Sequence, residues 1–320
     1  MSDQRLVLIV DCMNLYMRSW AAFPQMSSHG YQMGGCIGFL KTLRKLVNEQ
    51  QPRAVYLAWE GGGSTRRRSI FKEYKLNRKP EKLNRFYGDD IPDTEENKKH
   101  QIIALLAMLK CVPVCQVYVQ DCEGDDVVAY LCCGPMKDVP KIVASSDKDL
   151  YQLLDDKTKI YSLHKKTYIQ PADVLVEFRV NVKNFAIAKS LCGDPSDNIP
   201  GIKGLGFKTV SQKFPFLGTE QDILLQDVYD YAAAHSEDSI IYKRIVDEWD
   251  TVKRNWKLVF LDGGMLSASQ GELVDHVIST SVPRVNKMGL VKQLVKEGIG
   301  DFDVADFFHV FNCIEGIQYV

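Results

Sequence analysis

The stretch Leu6 to Leu15, "LVLIVDCMNL", sets five apolar, mostly β-branched residues directly against a carboxylate, Asp11. An apolar run without alternation reads as a strand buried on both faces, and a charge at its end marks the point where the strand meets solvent or a ligand. The pattern recurs along the chain. Ala54 to Trp59, "AVYLAW", is a second buried strand that ends at Glu60. A short third, "VPVCQV" over 112–117, leads into "DCEGDDVVAYLC", and "KIVASS" over 141–146 runs straight into "DKDLYQLL". Between them, Cys36 to Asn48 carries Ile37, Leu40, Leu43 and Val47 at helical spacing, and Glu95 to Lys110 reads as a helix. Strands that alternate with helices predict an α/β fold with a mainly parallel central sheet flanked by helices.

The acids follow this frame. Asp11, Glu60 and the pair Asp147 and Asp149 each come after the C-terminal end of a strand, and Glu123, Asp125 and Asp126 open a helix. In open parallel sheets this edge binds ligands. Further on, "LCGDPSDNIPG", Leu191 to Gly201, places Asp194 and Asp197 among turn-forming residues. The following "IKGLGFKTV" has Gly201, Gly204 and Gly206 suited to a tight turn between two helices, offering backbone N–H groups to a phosphate, with Lys203 and Lys208 adding charge. Convergence of these nine acids would destabilise the fold unless divalent cations neutralised them. Oxygen-only donors select Mg²⁺, with Mn²⁺ able to substitute, over zinc. Two such ions about 4 Å apart form a device for in-line phosphodiester cleavage. Taken singly, each acid has a plainer role: Asp147 or Asp149 as an N-cap, Glu123 to Asp126 as favourable charges at a helix start.

A chain of 320 residues with 45% hydrophobic content supports a sizeable core in one large domain or two ordinary ones. The first apolar run is too short for a signal peptide or a membrane span, so a cytoplasmic protein without a membrane partner is expected. Nine cysteines without a CxxC pair or zinc-finger spacing read as reduced, mostly buried thiols. Forty basic residues nearly cancel forty-one acidic ones, but their distribution is uneven. Arg66 to Arg85, "RRRSIFKEYKLNRKPEKLNR", holds nine Lys or Arg against two Glu, with Phe71 and Tyr74 among them, the signature of a nucleic-acid contact. From Pro215 onward the pattern is mostly helical, as in "SIIYKRIVDEWDTVKRNWKLVFL", and the aromatic "DFFHVFN" near the end reads as core.

The segments "GDPSDNIPGIKGLGFKT", "SSDKDLYQLL", "EGDDVVAYL", "EYKLNR" and "VDCMNL" resemble motifs of the structure-specific 5′-nucleases: flap endonucleases, bacteriophage 5′-exonucleases and the 5′-nuclease domain of bacterial DNA polymerase I. The resemblance covers roughly Leu6 to Val210. It implies a PIN-like catalytic core over 1–190 with a basic helical arch at about 61–95, then a helix-hairpin-helix and C-terminal helical region over 191–320 packed on the core. Asp11, Glu60, Glu123, Asp125 and Asp126 would belong to a first metal site and its water shell; Asp147, Asp149, Asp194 and Asp197 would serve a second. Tyr74, Lys75 and Arg78 look like the family's helical lysine motif, in which the lysine and arginine contact the scissile phosphate and the aromatic stacks on a base. Lys189 resembles a lysine placed near the active site. Lys72, Arg66, Arg67 and Arg68 join the arch as DNA contacts, and the hairpin with Lys203, Gly204, Gly206 and Lys208 grips the duplex, often with a bound K⁺. The implied partner is DNA with a 5′ flap or a single-strand/duplex junction, with RNA–DNA hybrids also suitable substrates and a replication protein as a possible further partner. Where the family has Asp after the second strand this chain has Glu60, whose longer side chain would shift the metal or a water. The competing readings are a PIN-like ribonuclease, which needs neither the hairpin glycines nor the basic "YKLNR" segment, and a DNA-junction binder without turnover.

Overall fold

A computed structural model describes residues 6–78 and 95–319. The chain begins with β1 (Val7–Asp11), α1 (Cys12–Ala22), α2 (Gly34–Gln50), β2 (Ala54–Trp59) and the short α3 (Thr65–Ile70). Next come α4 (Glu95–Leu109), β3 (Cys115–Tyr118), α5 (Gly124–Cys133) and β4 (Lys141–Ala144), then the hairpin strands β5 (Thr158–Ser162) and β6 (Thr167–Ile169). The remainder is helical: α6 (Pro171–Phe178), α7 (Phe185–Cys192), α8 (Phe207–Lys213), α9 (Leu225–Ala234), α10 (Ile240–Asp247), α11 (Trp249–Val259) and α12 (Ala268–Thr280). At the end, β7 (Arg284–Val285) pairs with β8 (Gln318–Tyr319) around α13 (Lys287–Lys296) and α14 (Val304–His309).

The main sheet has the order β3-β2-β1-β4-β5-β6, parallel throughout except for β6. The chain leaves β1 to one side through β2 and β3 and returns on the other side at β4, so strand order reverses beside β1. The crevice at such a reversal is the usual ligand position. Register levels the strand ends: Asp11 lies opposite Ala58, and Val10 opposite Ala144, so Asp11, Glu60 and Ser145 emerge side by side.

Alternate residues of β1 feed opposite cores, as the pleat requires. Leu8 and Val10 face α1, α2, α4 and the C-terminal helices, while Val7 and Ile9 face α5, α12 and Phe185. A third cluster joins α7, the 201–206 hairpin, α8, α9 and α10 through Ile187, Leu191, Ile202, Leu205, Phe214 and Ile245. The aromatic C-terminal stretch is core, with Phe307, Phe308 and Phe311 buried against the α2 side of the sheet. All nine thiols are free and six are buried. Among the described residues no helix is long and apolar enough to cross a membrane.

Part of the expected basic arch, residues 79–94, lies outside the described residues. The described part corrects one expectation, because "EYKLNR" is not helical. Helix α3 ends at Ile70, Phe71 leaves in an extended conformation, and 72–77 form successive turns. Lys75 adopts a left-handed φ of 60°, and its N–H is taken by the Asp197 carbonyl at 2.9 Å, a bond that a continuous helix would not leave free. Phe311→Ala should lower stability by about 3–5 kcal/mol in urea unfolding; a loss within error would show that the C-terminal stretch does not contribute to the core.

Candidate active site

Asp11, Asp126, Asp147 and Asp194 are each oriented by local backbone before they meet the others. Asp11 caps α1, accepting from the Asn14 N–H at 3.1 Å, and its second oxygen accepts from the Ser145 hydroxyl at 2.8 Å. Ser145 Oγ in turn accepts from the Asp147 N–H at 3.1 Å, and Asp147 accepts from the Asp149 N–H at 2.9 Å. Asn14 accepts from the Ser146 N–H at 3.1 Å, closing the β1 and β4 ends together. Asp126 accepts from the Glu123 N–H at 2.9 Å and so fixes the first turn of α5. Asp194 accepts from the N–H and hydroxyl of Ser196, and Asp194 and Ile199 exchange backbone bonds of 2.8 Å across the loop. The loop neck admits only glycine: Gly193 has a φ of 72°, and a Cβ on Gly201 would overlap the Cys192 carbonyl.

The strand ends open into a cavity of about 910 Å³ walled by Asp11, Glu60, Glu123, Asp125, Asp147 and Asp197, with Lys75 and Arg78 at one side. Asp149, Asp194 and Asp197 offer oxygens within 4.8 Å of one another. All nine predicted acids therefore gather at one sheet edge, although Asp126 sits behind the wall. Arg18 and Lys98 also line the cavity and were not singled out from sequence.

The cations are divided between this wall and the interior. Arg67 is 1% exposed, and its guanidinium reaches Glu123 at 2.9 Å, Asp125 at 3.2 Å and Asp126 at 2.8 Å while Nε donates to the Leu258 carbonyl. Arg67 is therefore an internal counter-cation, and the expectation that it contacts DNA is corrected. Tyr74 is likewise no base-stacking platform in this structure. Its ring is 5% exposed and packs on Ile199, Leu258 and Val259, while its hydroxyl donates to Glu123 at 2.9 Å. Lys75 pairs with Glu123 at 2.7 Å, and Arg78 with Asp197 at 2.6 Å. Lys189, buried, bridges Asp149 and Asp194, the latter at 2.8 Å.

Among the described residues Asp11, Glu60 and Asp147 form no ion pair. Burial raises the Asp11 carboxyl to about 7, against the lowering effect of its Ser145 and Asn14 bonds. Desolvation among the wall residues, reinforced by the Asp125 and Asp197 charges and opposed by Lys189 and Lys75, raises Asp147 to about 6. Glu60 is also raised, chiefly by burial. Asp194 moves the other way, because the Lys189 charge and the hydrogen bonds from Lys189 and Ser196 together outweigh its burial. A buried, oxygen-only donor set short of positive charge fits a hard divalent cation.

Lys203, Gly204 and Gly206 lie in the turn between α7 and α8, Lys208 lies in the first turn of α8, and Gly204 has a φ of 91°. Arg66, Arg68 and Lys72 are exposed on the other flank. Sequence reasoning missed Ser145 and Asn14, although each stands within three residues of a predicted acid. It also missed Gln152 and Asn255, for which no local signal exists.

Residues 6–179 match the family model of the 5′-3′ exonuclease, N-terminal resolvase-like domain. DNA polymerase I of Bacillus subtilis is 28% identical over 215 residues, which are 65% of this chain and 23% of that protein, so the chain spans under a quarter of that relative. The 5′-3′ exonuclease of Aquifex aeolicus is 27% identical over 69% of this chain and 72% of its own length. The T5 5′-exonuclease with bound divalent metal ions (zinc) aligns with a TM-score of 0.61 at 21% identity, covering 91% of this chain and 97% of its own. The catalytic core of Rad2 in complex with DNA substrate aligns with a TM-score of 0.54 at 15% identity, covering 96% and 91%. These likenesses extend the shared fold over nearly the whole chain.

Arg67→Ala should cost about 3–5 kcal/mol, because it strands buried carboxylates, and Arg67→Lys should recover only part, since one ammonium cannot span three acids. Urea unfolding measures both, and a neutral Arg67→Ala would refute the counter-cation role.

Proposed function

We propose a function from one premise: the chain belongs to the family of 5′-3′ exonuclease N-terminal, resolvase-like domains. It is a metal-dependent, structure-specific 5′-nuclease that hydrolyses DNA phosphodiester bonds near the junction of a single-stranded 5′ end and a duplex. The observation that carries this reading is a cavity wall on which Asp11, Glu60 and Asp147 converge without an ion-pair partner among the described residues, beside Lys75 and Arg78. A junction binder without turnover has no use for acids held unneutralised at that cost, and a PIN-like ribonuclease has no need of the exposed glycine hairpin.

Asp11, Glu60, Glu123, Asp125 and Asp126 would hold one divalent cation and its water shell; Asp147, Asp149, Asp194 and Asp197 would hold a second. Their chemistry favours Mg²⁺, with Mn²⁺ able to replace it. Bound there, the cations supply Lewis acidity that lowers the pKa of water and balances charge on the reacting phosphate, leaving a 5′-phosphate on the product. The chain's own residues do the rest. Lys75 and Arg78 exchange their carboxylate partners for the scissile phosphate, a charge-assisted contact. Lys189 keeps Asp149 and Asp194 together. The helix-hairpin-helix of α7, residues 201–206 and α8 presents backbone N–H groups with Lys203 and Lys208 to the duplex backbone, a contact that carries no base information and suits a K⁺ ion between protein and phosphate. RNA–DNA hybrids are accepted on the same ground. We assign 1–190 to the catalytic core and 191–320 to the hairpin and helical region packed on it, acting on 5′ flaps that arise in replication or repair.

The direct test is cleavage of a labelled 5′-flap, a blunt duplex and an RNA–DNA hybrid with Mg²⁺ and with EDTA; flap cleavage absent in Mg²⁺, or unaffected by EDTA, would overturn the reading. Asp147→Asn should abolish cleavage with flap affinity retained, raise the metal-free melting temperature by relieving its repulsion with Asp125 and Asp197, and lose the stabilisation that Mg²⁺ gives the native protein. A lower metal-free melting temperature would refute the electrostatic argument. Lys75→Ala should slow single-turnover cleavage about 100-fold or more while duplex affinity changes by less than about twofold; an unchanged rate removes Lys75 from the chemistry.

A further inference from the structure

Helix α11 carries no recognisable motif, yet it is bonded to both sides of the Asp194–Asp197 loop, to Arg67 and to Gln152. Asn255, fully buried, donates from Nδ2 to the carbonyls of Ser190 at 3.0 Å and Pro200 at 2.7 Å, on either side of the Asp194–Asp197 loop. Its Oδ1 accepts from Arg254 at 3.1 Å, and the Arg254 guanidinium lies 4.4 Å from the centroid of Phe71, where the basic turn begins. One turn on, the Leu258 carbonyl accepts from Arg67, the cation that holds Glu123, Asp125 and Asp126. At the helix end Gln152 donates to the Val259 carbonyl at 2.8 Å and accepts from the Leu261 N–H at 3.1 Å, and Gln152 sits in the turn that starts at Asp149.

We propose that α11 is the strut that fixes the span between the hairpin and the acidic cavity, and that Arg254 and Asn255 are positioning residues that select which phosphodiester bond, counted from the duplex junction, is cut. The inference rests on the nuclease reading above. A hairpin that grips backbone phosphates has no base register of its own, so the position of the cut must come from a rigid distance within the protein. Successive phosphates advance by about 3.4 Å along a strand, and slack of that order moves the cut by one nucleotide. Asn255 resists such slack because its two donors hold both sides of the loop neck at once. Arg254 resists it from the other direction, clamped between Asn255 and the Phe71 ring.

The test is single-turnover cleavage of a 5′-flap substrate with Mg²⁺, with products resolved to the nucleotide, for the native chain, Arg254→Ala, Arg254→Lys and Asn255→Ala, each checked by thermal melting. The native chain should cut one dominant bond. Arg254→Ala and Asn255→Ala should spread cleavage over neighbouring bonds and slow the dominant cut about 10-fold, with affinity for flapless duplex changed by less than about twofold, and Arg254→Lys, which keeps a cation over Phe71, should restore the single cut. An unspread pattern at the native rate in folded Arg254→Ala overturns the proposal. A native chain that cuts no flap overturns the nuclease reading instead, so the two failures are distinguishable. Asn255 is fully buried, so if its variant does not fold, the cleavage pattern of the partly exposed Arg254 variants decides the matter.

Discussion

Repulsion among carboxylates that share one sheet edge is the constraint to which the rest of the site responds. At an effective dielectric near 20, two such charges 4 Å apart cost about 4 kcal/mol, and seven line one cavity. The chain responds in two ways. Behind the wall it supplies buried cations, Arg67 against Glu123, Asp125 and Asp126, and Lys189 against Asp149 and Asp194. On the wall it leaves Asp11, Glu60 and Asp147 without an ion pair among the described residues, and desolvation raises their pKa values. Permanent neutralisation is built into the protein; exchangeable neutralisation is left to what enters the cavity.

Lys75 and Arg78 stand between these cases. Both sit on wall carboxylates, and the turn that carries them is bonded to the aspartate loop by Lys75 N–H to the Asp197 carbonyl, Asn77 to the Pro195 carbonyl and Asn198 to the Glu73 carbonyl. Their stems are anchored by backbone, whereas their charged ends rest on groups that a cation would also claim. A lysine's ammonium is a mobile point charge on a flexible stem. The turn can therefore stay fixed while its charged ends change partners, which suits residues that neutralise carboxylates in one state and phosphate in another.

Much of the fold was legible because its signals are local. β1 and β2 carry apolar runs without alternation, and β4 has three apolar residues after Lys141, the pattern of strands buried on both faces. β5 and β6 escaped notice because "TKIYS" and "TYI" are short and partly polar, as the outer strands of a sheet are. In "RRR" composition cannot tell one arginine from the next; only the packing of α3 on α11 turns Arg67 inward and leaves Arg66 and Arg68 outside. The helix expected at "YKLNR" failed for a similar reason, since the partners that hold the turn lie more than a hundred residues away.

The acids themselves were legible for a reason that also resolves the tension between their plain and chemical readings. A carboxylate that caps a helix and one that serves a site compete only if it has a single job, and each carboxylate has about four lone-pair sites. Asp11, Asp126, Asp147 and Asp194 each give some of these to a backbone N–H within three residues. That local bond is what orients the rest, in the way a preorganised site requires. The direction of these four acids is thus encoded next to them in the chain, where sequence can be read. The balance of charge is encoded elsewhere: Arg67 lies more than fifty residues from the acids it holds, and Lys189 forty from Asp149. Geometry written locally and neutrality written at a distance explain why nine acids could be found from sequence while the role of Arg67 was misread.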